Sequence, residues 1–181
     1  VNLSKEDSDR AFKEFKIIQK ALNNFSKFLV PDLNFMNPVE GIISSRYGKK
    51  RYINNQPRSP HLSLDIAAAE GTKIVSPTKG RVILVGDFFY AGNYIVIDHG
   101  YGLLTSYSHL SKIFVEENQI VTKGEKIGEV GSTGRTGPTG PTGPKGTKGT
   151  NGQKGKKEVK EHLKIIKRAV TRSRGGGSGW G

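Results

Sequence analysis

The apolar positions of the first thirty residues recur at steps of three and four. In LSKEDSDRAFKEFKIIQKALNNFSKFL, Phe12, Phe15, Ile18, Leu22, Phe25 and Leu29 share one stripe, the spacing of an amphipathic helix. Ser4 is placed to cap it, acids fill its first turn and Pro31 stops it. Such a helix packs on a body or serves as an interaction or inhibitory segment, and packing is the expectation. From Pro38 to Val130 the period shortens. VEGIISS, TKIVSP, GRVILVGDFF, NYIVIDHG, LLTSYSHL, KIFV and EKIGEVG are short, β-branched runs punctuated by Gly41, Gly71, Gly80, Gly86, Gly92, Gly100, Gly124 and Gly128. This pattern reads as a mainly β fold, a small antiparallel sandwich or barrel, and about 90 residues are enough to bury one core. Near the end, KKEVKEHLKIIKRAV puts Val159, Leu163, Ile166 and Val170 on one helical face. A short basic helix is expected there, followed by a flexible Gly-rich end.

Glycine changes the picture between those parts. From Gly131 it recurs at every third position through Gly155, nine Gly-x-y triplets in all. That is the repeat of a collagen triple helix, in which only Gly fits the crowded axis. Proline fills only positions 138, 141 and 144, so the repeat reads either as a marginal triple helix, implying a homotrimer, or as a Gly/Thr/Lys linker. Charge divides at the same place. The chain carries +13, and residues 131–181 hold 12 of its 29 cations against two of its 16 acids. The body is therefore close to neutral at +3, and the basic character belongs to the tail. A basic tail can meet a membrane surface, nucleic acid or copies of itself; the lack of interleaved aromatics argues against nucleic acid. There is no cysteine, so thiol chemistry and disulfides are excluded. No run of 18 apolar residues and no signal peptide is seen. The chain opens on Val1, and an N-terminal segment is expected to precede it.

Four histidines, His61, His99, His109 and His162, are the candidates for chemistry. In PHLSLD, His61 stands four residues before Asp65, so on a strand both point to one face. One imidazole and one carboxylate are two-thirds of a three-ligand catalytic zinc site. In SYSHL, His109 lies on a later strand, where a lone His is ordinarily structural; Tyr107 shares its face as core or as a polar handle.

Taken together, residues from about 35 to 138, including PHLSLD, SYSHL and GSTGRTGP, resemble the lysostaphin-type (LytM-like) zinc endopeptidases of bacteria. The likeness is greatest to the branch that trims peptidoglycan in Gram-negative envelopes. The resemblance implies a small antiparallel β-fold with a groove, hydrolysis of peptidoglycan peptide bonds, one zinc ion, and a periplasmic or extracellular place in the cell envelope. It implies that His61 and Asp65 are metal ligands, with Ser63 where the family has Gly, and that His109 is a catalytic histidine that steadies the oxyanion or exchanges protons with zinc-bound water. Arg46, Tyr47 and Arg58 fall where the family borders its groove, and His99 where it has a strand-end residue. The family then has His-x-His, supplying the third ligand and a second catalytic histidine. Here the sequence reads TGPTGPKG instead. His162, beside Glu161, is the only later histidine, and its place on a helical pattern after a long Gly-rich run argues against its replacing the lost ligand.

The expected organisation is a helical segment at 1–34, a peptidase domain at 35–138 lacking its final strands, a collagen-like linker at 139–157 and a basic helix with a Gly-rich end at 158–181. Loss of the final strands predicts an open sheet edge. The function expected is a metallopeptidase-like domain with an impaired site. The alternatives are a non-catalytic wall-binding or oligomerising protein, or a chimeric sequence joined where TGP belongs to both patterns.

Overall fold

A computed structural model describes residues 3–53, 55–58, 60–134 and 161–169. Helix α1, Lys5–Leu22, begins as its sequence dictates: Ser4 Oγ accepts from the Asp7 amide at 3.0 Å, and Glu6 and Asp7 occupy the first turn. It does not reach Pro31. It ends at Leu22 because the next polar side chains are used elsewhere: Asn24 Nδ2 and Ser26 Oγ both donate to Asp98 Oδ2, at 2.8 and 2.5 Å. The expected apolar stripe is also only partly buried. Leu22, Ile18 and Ala21 pack on Leu84, Phe88, Tyr94 and Val96, whereas Phe12 and Phe15 are exposed.

Residues 23–41 then strap the sheet before entering it. Backbone amides of Tyr101, Met36 and Val75 meet Ser26, Pro77 and Pro38 carbonyls. The strands are β1 Ile42–Ser45, β2 Arg51–Ile53, β3 Gln56–Arg58, β4 Leu64–Ala68, β5 Lys73–Val75, β6 Gly80–Phe88, β7 Gly92–Asp98, β8 Leu103–Ile113, β9 Ile120–Val121, β10 Lys126–Val130 and β11 Glu161–Ala169. All pairings are antiparallel, as the short β-branched runs predict. The main path runs β1-β4-β11-β8-β7-β6-β9, with β10 bridging β5 and β8 and with β2–β3 a separate hairpin. Strand β7 is buried on both faces: Ile95 and Ile97 join the main core with Val82, Tyr107, Leu110 and Ile127, and Tyr94 and Val96 meet α1. That explains its unbroken apolar run YIVI, which a one-sided strand would alternate.

The tail departs from expectation. Residues 161–169, read as part of a basic helix, form a strand with β4 on one side and β8 on the other. The segment satisfies both periods, since Leu163 and Ile165 alternate as well as Leu163 and Ile166 stepping by three. A slot with unpaired backbone on both walls decides between them, because a helix there would leave the amides and carbonyls of β4 and β8 without partners. The edge expected to be open is therefore occupied. The Gly-x-y repeat beyond Gly134 lies outside the described residues, but its first members have a use within the fold. A Cβ on Gly131 would collide with the Ser111 backbone; Gly134, at φ +84°, lies against the Gly92 amide.

Candidate metal centre

Residues 61–63 lead through a bend at Ser63 into β4, and the side chains of His61, Ser63 and Asp65 meet on one side. The chain is fastened at His61 by two backbone bonds, His61 N to Lys49 O at 2.9 Å and Gly48 N to His61 O at 2.7 Å. His61 is 2% exposed. Its Nδ1 lies 3.3 Å from the Arg46 carbonyl and 3.2 Å from Ser45 Oγ. A carbonyl only accepts, so Nδ1 carries the proton and Nε2 presents its lone pair. Toward that lone pair point Ser63 Oγ at 2.6 Å and Asp65 Oδ1 at 3.1 Å.

This arrangement tests the expected metal. A lone pair facing a carboxylate oxygen is relieved by a cation between them. Two ligands of one tetrahedral zinc, each roughly 2.0–2.1 Å from it, lie about 3.3 Å apart, close to the separation seen. The His61–Asp65 pair thus fits as two donors. The set is not complete: among the described residues, no group of three or more His, Cys, Asp or Glu side chains converges. Ser63 adds an obstacle, because its hydroxyl already donates to Nε2 and also lies 3.4 Å from Asp65 Oδ1.

His109 lies one strand further across the sheet. In β8 it follows a register shift against β7: Tyr107 pairs with Ile95 and Leu110 with Asn93, so Ser108 and His109 together face Tyr94. A bulge re-aims the side chain it carries, and His109 takes φ +63° there. Its Nδ1 donates to the Thr133 carbonyl at 2.7 Å, which assigns the proton to Nδ1. Thr133 is itself pinned, its hydroxyl donating to the Leu110 carbonyl at 2.7 Å and accepting from the Asn93 amide at 2.9 Å. Sequence reasoning missed Thr133 as the residue that orients His109: GSTGRTGP was read for its likeness to the family's loop and for its glycine spacing, and neither marks Thr133.

Between the two parts runs β11. Its rung at Lys164 pairs with Asp65 on one side and Ser108 on the other, and His162 stands opposite Ala67. The register position joining the metal donors to the His109 bulge is thus a lysine. Of the remaining candidates, Tyr107 and His99 are fully buried. Tyr107 is core: its hydroxyl donates to Thr105 Oγ1 at 3.0 Å, Thr105 donates to His99 Nε2 at 2.8 Å, and His99 Nδ1 donates to the Lys79 carbonyl at 2.8 Å. Burial pushes the His99 pKa down and the Tyr107 pKa up. Tyr47 is exposed, and Arg46 contributes its carbonyl.

Residues 59–143 match the family described as Peptidase family M23. The chain carries an M23 peptidase domain. It is 43% identical over 87 residues to peptidoglycan DD-endopeptidase ShyA of Vibrio cholerae, an alignment covering 48% of this chain and 20% of that protein. It is 34% identical over 91 residues to murein hydrolase activator NlpD of Escherichia coli, covering 50% and 22%. The chain spans about a fifth of the length of these curated relatives. Among solved structures, a peptidase M23 from Pseudomonas aeruginosa superposes with TM-score 0.68 at 32% identity, over 90% of this chain and 57% of the other. A zinc-containing peptidase from V. cholerae gives 0.53 at 29%, over 81% and 38%. The lysostaphin catalytic domain of Staphylococcus simulans, TM-score 0.52 at 24% identity over 74% and 84%, shares the fold. The M23 domain here is the mainly β unit built around β4, β7 and β8.

Proposed function

We propose that this chain is a peptidoglycan-directed M23 domain of the bacterial cell envelope whose endopeptidase chemistry is impaired. His61 and Asp65 are its metal donors and His109 its proton-handling side chain. Zinc, when held by such a pair, polarises a peptide carbonyl and lowers the pKa of a coordinated water. The chain's own part is to hold His61 Nε2 and Asp65 Oδ1 together and, through Thr133, to fix the His109 tautomer. The observation that carries the impairment is that, among the described residues, no third His, Cys, Asp or Glu side chain joins His61 and Asp65, and the residue paired with Asp65 across the rung is Lys164. The test is zinc content by mass spectrometry together with peptide release from purified sacculi. Zinc well below one per chain and no released peptide are expected. One zinc per chain with turnover, both lost in His162→Ala, would overturn the proposal and give His162 the third place. A second reading, a wall-binding module that acts through another hydrolase, is favoured by the 34% identity to an activator of murein hydrolases; stimulation of a separate hydrolase on sacculi that this chain leaves intact would establish it.

A further inference from the structure

We propose that helix α1 positions His109, and that Glu14 is the residue through which it does so; this rests on the reading above, in which His109 handles the proton. Glu14 stands one helical turn from Arg10, and Arg10 Nε meets Glu14 Oε1 at 2.7 Å. Such a pair is ordinarily a surface contact of little consequence. Two observations raise this one above that.

The first is where the second carboxylate oxygen goes. Glu14 Oε2 accepts from the Phe89 amide at 2.5 Å, across 75 positions of the chain. Phe89 opens the three-residue turn Phe89–Tyr90–Ala91 between β6 and β7, in which Phe88 pairs with Gly92. A charged acceptor makes a strong bond to a backbone amide, and here it ties the helix to the turn. Arg10 adds to the tie: Nη2 lies 3.6 Å from Asp87 Oδ2, and the guanidinium stands 5.8 Å from the centre of the Phe89 ring.

The second is what the far end of the same turn holds. The Ala91 carbonyl accepts from the His109 amide at 2.7 Å. Gly92, at φ +61°, comes so close to Thr133 that a Cβ there would overlap the Thr133 carbonyl. That carbonyl is the acceptor for His109 Nδ1. The backbone and the ring of His109 are therefore both set against Ala91 and Gly92. His109 depends on such holding, because at φ +63° it occupies left-handed backbone that a bulky residue keeps only where its surroundings impose it. Releasing Phe89 lets Ala91 and Gly92 move, and both bonds of His109 move with them. Glu14 acts through the turn and on no reacting group, which makes it a positioning residue.

The experiment records imidazole nitrogen NMR spectra of the full chain, at a pH where the rings are neutral, with each histidine assigned by substitution. In the wild type His109 and His99 should both show the Nδ1–H tautomer. In Glu14→Ala the two His109 nitrogen resonances are expected to move toward each other as that preference is lost. His99, whose Nδ1 donates to the Lys79 carbonyl, should keep its own. Glu14→Gln retains an acceptor for the Phe89 amide and should restore the wild-type His109 pattern. A lower melting temperature in Glu14→Ala with His109 unmoved makes Glu14 merely structural and overturns the proposal. Equal disturbance at His109 and His99 signals general loosening and overturns it too. Should Glu14→Ala fail to fold, Arg10→Gln is expected to shift His109 in the same direction by less, and an unmoved His109 there is the overturning result. The spectra require no turnover. A His109 response in a chain that ignores sacculi therefore supports the positioning and removes the wall-directed reading, and bound sacculi with an unmoved His109 do the reverse.

Discussion

A hydroxyl that donates to His61 Nε2 competes with any cation for that lone pair. The Ser63 contact, at 2.6 Å, is of a kind worth about 1 kcal/mol net. Ser63→Gly removes it, and the prediction is zinc affinity tightened about fivefold, since each 1.4 kcal/mol is a factor of about ten. Competition against a chromophoric chelator measures this. Weaker zinc binding by the variant would show that the hydroxyl helps hold the ion. At this scale the sequence was largely legible. HLSLD alone placed His61 and Asp65 on one face, because strand geometry is enough to predict it. What it did not contain was the partner of each ring. Thr133 reaches His109 across 24 positions, and the Arg46 carbonyl reaches His61 across 15; such bonds depend on backbone approach and leave no side-chain pattern.

Among the elements, β11 is the one whose sequence and structure part company. A helical stripe and a strand alternation coexist in EHLKIIKRA, and local propensity does not separate them. The flanking strands do, because β4 and β8 each present a ladder that only another strand completes. Ile165 pairs with Leu64 on one side and Tyr107 on the other, so Ile165→Pro removes a ladder donor at the centre of the sheet. A loss of about 1–3 kcal/mol is expected from the backbone partner left unsatisfied, read as a lower denaturant midpoint together with concentration-dependent association, as two edges open. An unchanged midpoint would place β11 outside the cooperative unit. The strands β6, β7 and β8 were legible because their apolar runs are long and bounded by Gly. KIFV, read as separate, is the end and continuation of β8. The hairpin β2–β3 was hidden by its charge, and α1 was read too long because its stripe continues past the point where Asn24 and Ser26 turn to Asp98.

For the molecule as a whole, His99 gathers the parts. It is wholly buried, bonds Lys79 before β6 and Thr105 in β8, and meets the ring edge of Phe35 in the strap at 5.7 Å. Burial is the main cause holding its pKa below the usual 6.5, opposed by its bond to the Lys79 carbonyl and the nearby Asp98. The folded state therefore prefers neutral His99. The stability this contributes is present in full above the unfolded-chain value of 6.5 and is lost progressively as pH falls below it toward the lower folded value. The melting temperature should drop between pH 7 and pH 5, and His99→Gln should flatten that part of the profile; an identical slope in the variant would assign the acid sensitivity to other groups.

The position of β11 also sets an order of events. Lys164 and Asp65 lie 99 residues apart in the chain yet share a rung at the middle of the sheet. Contacts so distant in sequence are slow to form, since a long loop must close before they are rewarded. Strands β4 to β10 can assemble from nearer neighbours, and the central strand then enters last. During synthesis the body emerges first with a cleft through its sheet, and for that interval its two bare edges are open to any extended segment that reaches them.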